Sequence, residues 1–579
     1  MRVVLNRCVV SFLLLTAITL GGSQAVQAQV KKKAAAPRKP LVTINCAGVE
    51  RMLTDFDYAL EVAGRPELSD AIKPLLERIG DLKGLDRKKP FGAMIFLQPG
   101  LPPRPEPVAF VPVDSIEDLI KTVSLAPVDV KKVEGKENRY EIVRRRRPDE
   151  PAVQVRLQDG YAFLTKDATL IDESFTESMA AAKQTASKYD VALRVDLGSV
   201  PRGWRDIFLT TLRIGAQAEL QRRDNETPAA ARIRRANGES MLELLEMVLT
   251  DGDKLTIGWD ASKENKRAVV DVAIDATEDS KFAKYLKDIG GKKSHFASLV
   301  DEDSPLAVSV SWNMDARERK SLGEVLKAAR GEISSRLGTD GQPSKIADGL
   351  LDALDATATE GHVDGFVRFS GEKPGDYVLV GGLKLATAKS AASSLSQILQ
   401  RIEENPQLEA VERNVDQHRG VAIHRLLGKN IRDRDERIYG GKPSLYVGIG
   451  SKVIWFAVGG NGAITELKKT MDQLAESAGN ARQPAASSPF RFTMHMGRWV
   501  GIGGREGRPR RGGEFAKQAF AKGGDLLRVD IRPTETGGRF RIEMEEGYIR
   551  MIGLGLSRRL DRGFNRPQNR PARPKPAKP

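Results

Sequence analysis

The chain has 579 residues, of which 92 are basic and 77 acidic, giving a formal net charge of +15, with 40% hydrophobic residues, 29% charged residues and two cysteines. This is too apolar for a disordered chain, and the length allows two to four ordinary domains. An intramolecular disulfide is excluded from the mature chain, because Cys8 falls in a removable leader and leaves Cys46 alone, in the apolar context of a buried small residue.

Residues 1–28 have the parts of a signal peptide: basic Arg2 and Arg7, an apolar run from Val9 to Leu20, and the small-residue exit Val26-Gln27-Ala28. Cleavage after Ala28 implies export to the periplasm or beyond. The apolar run is shorter than the about 20 residues that a bilayer span needs, and no later stretch approaches that length, so no transmembrane span is expected in the mature chain. Residues 29–40 (QVKKKAAAPRKP) form a basic Lys/Ala/Pro linker with five positive charges and no acid.

A first α+β repeat is expected over 41–291. It opens with an apolar run, Leu41 to Cys46, and continues with strands at 91–97 and 108–113 joined by a Pro-rich loop. A helix from Ser115 to Val123 follows, with Asp114 as N-cap and Glu117 three residues on. Tyr161 to Thr165 reads as a strand before a helix at 168–182. A helical insertion is expected at about 204–249, its second helix opening at Thr227-Pro228. Leu255, Ile257 and Trp259 alternate against Val270, Val272 and Ile274 in a closing hairpin.

After a linker at 292–304, the same order returns over 305–560 with a shift near 270 residues. Leu306 to Trp312 opens it, strands at 365–369 and 377–381 follow, and a helix from Ala388 to Glu404 stops at Asn405-Pro406. The strand Val453 to Ala457 leads into a helix at 462–478, where Ile464, Leu467, Met471 and Leu474 recur at helical spacing and mark a core face. A Gly/Arg loop at 501–513 stands where the first repeat has its helical insertion. Leu527, Val529 and Ile531 then alternate against Phe540, Ile542 and Met544. Strict alternation implies antiparallel strands with one wet face, so each half of this tandem duplication is expected to be a mainly antiparallel sheet with helices packed on one face. Residues 561–579 read as a basic, Pro-rich, disordered tail with six positive charges and one acid.

Removing Arg2 and Arg7 leaves a net charge of +13, of which the linker and tail hold +10. The body is nearly neutral, and no aromatics interleave with its arginines, which argues against nucleic acid. No catalytic, cofactor or metal motif is present: His295, His362, His418, His424 and His495 show no metal-ligand spacing, and Pro443 interrupts the one stretch resembling a phosphate loop. The clusters Asp301-Glu302-Asp303 and Asp433-Arg434-Asp435-Glu436 read as solvated surface. Two internal clusters, Arg144, Arg145, Arg146 and Arg147, and Arg505, Arg508, Arg510 and Arg511, are candidate anion-binding sites, because guanidinium groups fork onto phosphate, sulfate or carboxylate.

The segments Lys89-Pro90-Phe91 to Leu97, Pro107 to Val113, and Gln158-Asp159-Gly160-Tyr161-Ala162-Phe163 resemble in pattern a group of uncharacterised exported proteins of planctomycete-type bacteria. The resemblance implies export and a repeated body, and no activity. The expectation is a non-enzymatic envelope-associated protein, tethered by its basic tails to anionic polymers or a membrane surface. The alternative is an enzyme or ligand-binding protein with a pocket between the two repeats.

Overall fold

The computed structural model describes residues 38–70, 82–98, 104–147, 149–221, 223–224, 226–338, 345–479, 488–500 and 513–564. The expected signal peptide, the linker up to residue 37, nearly all of the Gly/Arg loop and the tail beyond 564 lie outside these residues.

The first strands are β1 (Val42–Cys46), β2 (Phe91–Gln98), β3 (Arg104–Pro112), β4 (Val128–Lys132), β5 (Arg139–Arg144), β6 (Val153–Gln158), β7 (Tyr161–Thr165), β8 (Val191–Asp196), β9 (Gly252–Ser262) and β10 (Arg267–Ala276). The later ones are β11 (Leu306–Asn313), β12 (His362–Ser370), β13 (Val378–Lys384), β14 (Leu408–His418), β15 (Val421–Gly428), β16 (Ser444–Ile449), β17 (Val453–Gly459), β18 (Phe490–His495), β19 (Leu526–Pro533) and β20 (Gly537–Glu545). Helices are α1 (Val49–Val62), α2 (Glu67–Asp70), α3 (Ile116–Val123), α4 (Thr176–Ala186), α5 (Arg202–Leu220), α6 (Pro228–Asp251) and α7 (Lys281–Asp288). They continue with α8 (Ala316–Leu337), α9 (Asp348–Glu360), α10 (Ala391–Arg401), α11 (Asp433–Tyr439), α12 (Ala463–Gly479), α13 (Gly513–Phe520) and α14 (Glu546–Phe564). The fold is α+β with extensive antiparallel sheet.

The chain divides into two compact units. The first holds residues up to Val195, the tip of the β9–β10 hairpin (Gly258–Ala268) and everything from Glu546; the second holds Asp196–Ile257 and Val269–Glu545. The chain thus returns to its first unit twice, where contiguous halves were expected.

In the first unit, adjacent strands run in the order β4, β5, β6, β7, β3, β2, β1, β8, every pair antiparallel. The tight β6–β7 turn is made by Asp159 and Gly160, both at positive φ (53° and 76°), the backbone twist that suits a two-residue hairpin. Alternate residues of three strands (Met94 and Phe96, Val108 and Phe110, Tyr161 and Phe163) are buried in one cluster with Phe175, Met179 and Ala182 at helix α4. Helix α3 is capped by Ser115, whose hydroxyl accepts from the Asp118 backbone N–H at 3.3 Å, one residue after the expected Asp114. The helix expected at 168–182 is instead a 3₁₀ turn at Leu170–Asp172 followed by α4, because Asp167 Oδ1 accepts from the Thr169 and Leu170 N–H groups and holds a separate turn there.

In the second unit the order is β14, β15, β16, β17, β13, β12, β11, β18, β19, β20, again all antiparallel. Leu467, Met471 and Leu474 of α12 are buried as their spacing predicts, against Val453, Trp455 and Ala457 of β17. Ile454 and Val447 point the other way, into a second cluster with Leu350 and Leu354 of α9 and Leu395 and Leu399 of α10. Helices therefore pack on both faces here, where one was expected: β16 and β17 carry apolar residues at odd and even positions and contribute to a buried cluster on each side, although Leu445 of β16 is exposed. Two helices, α5 and α6, occupy the expected insertion. Thr227 caps α6, its hydroxyl accepting from Ala230 N, with Pro228 in the first turn. No helix among the described residues is long and apolar enough to cross a membrane.

Candidate functional site

Of the predicted anion site, Arg144 ends β5 and Arg145 to Arg147 begin the connection to β6. Three of the four are already matched to carboxylates. Arg144 Nη1 and Arg147 Nη1 donate to the two oxygens of Glu150 at 2.9 and 2.8 Å, and Arg145 Nε donates to Asp129 Oδ1 at 2.8 Å across the β4–β5 pair. An incoming anion would have to displace these carboxylates. Each exposed pair is worth at most about 1 kcal/mol, so displacement by a polyanion is feasible, but the loop is no preformed basic pocket. Arg505, Arg508, Arg510 and Arg511 lie outside the described residues.

A strongly perturbed carboxyl lies elsewhere in the first unit. Arg51 and Asp55 are four residues apart on α1, which places them on one face of the helix. The chain brings two more carboxylates to that face: Asp190, just before β8, and Asp260 in β9. Arg51 forks between them, Nε to Asp190 Oδ1 at 2.7 Å and Nη2 to Asp260 Oδ1 at 2.5 Å, while its Nη1 donates to the Ala186 carbonyl at 3.2 Å. Asp190 is buried, and its other oxygen accepts from the Ala261 backbone N–H at 2.6 Å.

One arginine cannot neutralise three carboxylates, and the proton balance settles on Asp55. Burial, the Asp190 charge and a hydrogen bond to Asp190 push the Asp55 carboxyl up to about 7, against the opposing pull of Arg51. Burial also raises Asp190, while the Ala261 N–H and Arg51 hold it back. Asp55 is therefore the carboxyl of this set that holds its proton up to near neutrality, beside Asp190. Such a carboxyl can act as an acid or base at neutral pH. Sequence inspection passed over all four residues, since Arg51 and Asp55 look like any surface pair on a helix and their partners are more than a hundred residues away.

The histidines are held by local partners. His418 Nε2 lies 2.8 Å from Asp472 Oδ1, and His495 bonds Asp525 through Nδ1 (2.9 Å) and the Glu302 carbonyl through Nε2 (2.8 Å). On the paired strands β11 and β12, Ser311, His362 and Asp364 approach one another, with Ser311 Oγ 3.1 Å from His362 Nε2. They do not form a nucleophile relay. Ser311 and Asp364 are fully buried, and both Asp364 oxygens are taken, by Ser294 Oγ at 2.7 Å and His295 N at 2.6 Å. This polar network ties the segment before β11 to the sheet. Among the described residues no group of three or more His, Cys, Asp or Glu side chains is placed to hold a metal ion. Comparison of the chain with protein-family models, curated proteins and solved structures returns no match.

Proposed function

We propose that the chain is an exported, non-enzymatic envelope protein whose basic terminal segments hold it to anionic polymers or headgroups, while the body serves as a two-part scaffold. The observation that supports this is the placement of charge. Residues 29–37 and 565–579 together contain eight positive charges and no acid. Within the body, basic side chains are largely matched: Arg541 with Asp271, Arg528 with Glu302 and Glu543, and Arg330 with Asp348 and Asp352, besides the cluster at Arg144. Even the ends of the basic segments are engaged where they meet the body, Arg38 with Glu173 and Asp561 with Arg65. The helix α14 also runs through Phe564, four residues into the stretch expected to be disordered.

The same reading takes the body as a tandem duplication. In its favour, adding ten to each label turns the pairing order of the first unit (β4, β5, β6, β7, β3, β2, β1, β8) into the run β14 to β18 of the second. Two unrelated eight-strand orders would rarely coincide.

The test is sedimentation with isolated cell envelopes across a salt series, comparing the mature chain with residues 38–564, which keep both boundary ion pairs. Each basic residue near an anionic surface contributes about 1 kcal/mol, screened within roughly 10 Å at 0.1 M salt. The mature chain should co-sediment at low salt and release at high salt, and the trimmed chain should stay in solution. Salt-insensitive retention of the trimmed chain would end the tether reading and place recognition in the body.

A further inference from the structure

We propose that strands β18, β19 and β20 of the second unit carry a binding site for a doubly charged phosphate group, inorganic phosphate or a phosphate monoester, held by Arg491, Arg532 and Arg539. The pairing register puts these side chains together. Arg491 of β18 stands opposite Asp530 of β19, and Arg532, two residues on, stands opposite Arg539 of β20. Residues directly opposite one another, and residues two apart on one strand, share a face of the sheet. The three arginines therefore rise from one face, with their Cα atoms within about 12 Å of one another. Like charges directly opposite on paired strands repel, so Arg532 and Arg539 oppose the ladder that holds them. A single carboxylate lies among the three: Asp530, which is buried, with Oδ1 2.6 Å from Arg532 Nε.

The other acids on this face are already engaged. Arg541 donates to both oxygens of Asp271, at 2.8 and 2.6 Å. Glu302, whose carboxyl the Arg491 charge helps to hold low, accepts from Arg528 at both oxygens, at 3.0 and 2.7 Å, and Arg528 Nη1 donates to Glu543 at 3.0 Å. Arg528 and its two carboxylates are centred four residues from Arg532, about 13 Å along β19, so the face is acidic at that end and basic at the other. Among the described residues neither Arg491 nor Arg539 has a carboxylate at ion-pair distance, and Arg539 Nε is buried with no acceptor. Arg532 keeps the group open to solvent, its side chain being 51% exposed. Charge and shape choose the ligand. Three guanidinium groups and Asp530 leave two positive charges, which a dianion neutralises and a carboxylate or phosphodiester does not. A carboxylate fills one guanidinium fork, whereas a phosphate presents three oxygens to three arginines. Bound there, it gives Arg539 Nε its acceptor and offsets the repulsion across β19 and β20.

This inference does not rest on the tether. Its test is isothermal titration calorimetry of the full mature chain at about pH 8, where a phosphate monoester is doubly charged because its second pKa is about 6. The titrants are inorganic phosphate, glycerol 3-phosphate and dimethyl phosphate, at one ionic strength set with NaCl. The two dianions should fill one site per chain, and the singly charged diester should bind at least about 10-fold more weakly. Tighter binding of glycerol 3-phosphate assigns the site to a phosphorylated molecule, and tighter binding of inorganic phosphate assigns it to the free ion. Arg539→Gln and Arg532→Gln should each weaken both dianions at least about 10-fold. Arg539→Gln loses no ion pair, so without phosphate it should melt at or above the wild-type temperature. It should also lose the rise of about 2 °C that phosphate at about ten times its Kd gives the wild type, which separates a lost site from a lost fold. Arg570→Gln combined with Arg573→Gln, in the C-terminal basic segment, should bind like wild type. No saturable binding up to about 10 mM, dianion binding indifferent to Arg539→Gln, or binding abolished by the C-terminal pair would each overturn the proposal.

Discussion

Replacing Asp55 with asparagine removes a carboxyl that ionises against its surroundings, while an amide N–H can still face Asp190. Folding raises this carboxyl from its ordinary 3.8 to about 7. The sign follows from proton counting. Below about pH 4 the group is protonated in both folded and unfolded chains and costs nothing. Between about 4 and 7 the unfolded chain releases the proton and the folded one keeps it, so stability falls as pH rises, and above 7 the full penalty is present. Three units at 1.36 kcal/mol each set an upper bound of about 4 kcal/mol, which solvent screening around a partly exposed carboxyl reduces to roughly 1–3 kcal/mol.

Thermal unfolding followed at pH 5 and pH 8 should therefore show Asp55→Asn more stable than wild type at pH 5 by less than half of its gain at pH 8, because pH 5 lies only about a third of the way from 3.8 to about 7. At pH 8 the variant should be more stable, by about 3–10 °C for a unit of this size. The comparison must be a difference between the two proteins, because other groups titrate too. Burial lowers His295, His362 and His424, so acidification below about 6.5 costs stability at those sites in both. An offset equal at both pH values, or a variant less stable at pH 8, would refute the proton held on Asp55.

Two further substitutions test local geometry. Ser115→Ala should lower stability by about 1 kcal/mol by removing the acceptor for the Asp118 N–H, whereas Asp114→Ala should be nearly silent; the reverse ranking in denaturant melts would restore Asp114 as the cap. Gly553→Ala sets helix propensity against packing. Alanine gains about 1 kcal/mol within α14, but its Cβ would stand 1.9 Å from the Ala59 carbonyl oxygen on α1, and overpacking of this kind costs about 1–3 kcal/mol or more. A net loss of several degrees in melting temperature is expected, and a stabilised variant would mean the two helices are not in contact.

The sequence by itself determined the elements whose apolar residues repeat with a clear period. The alternating strands β9, β10, β19 and β20 and the buried stripe of α12 are legible because their apolar residues recur with one clear period, although Ile257 of β9 is exposed and Asp271 and Asp530, between the apolar positions, are buried. Strands β14 and β4 were not legible: the exposed residues of β14 include Glu409, Glu412 and Arg413, and those of β4 are Asp129, Lys131 and Lys132, charges that mask strand periodicity as they do on protected sheet edges. The second buried face of β16 and β17 was equally hidden, since continuous apolar runs do not say on how many sides they are covered. Only the tertiary structure decided that Arg51, Asp55, Asp190 and Asp260 meet and that Arg144, Arg145 and Arg147 are already paired. A side chain's charge is written in the chain, but its protonation depends on which distant groups share its dehydrated surroundings, and pairing across strands and helices sets that.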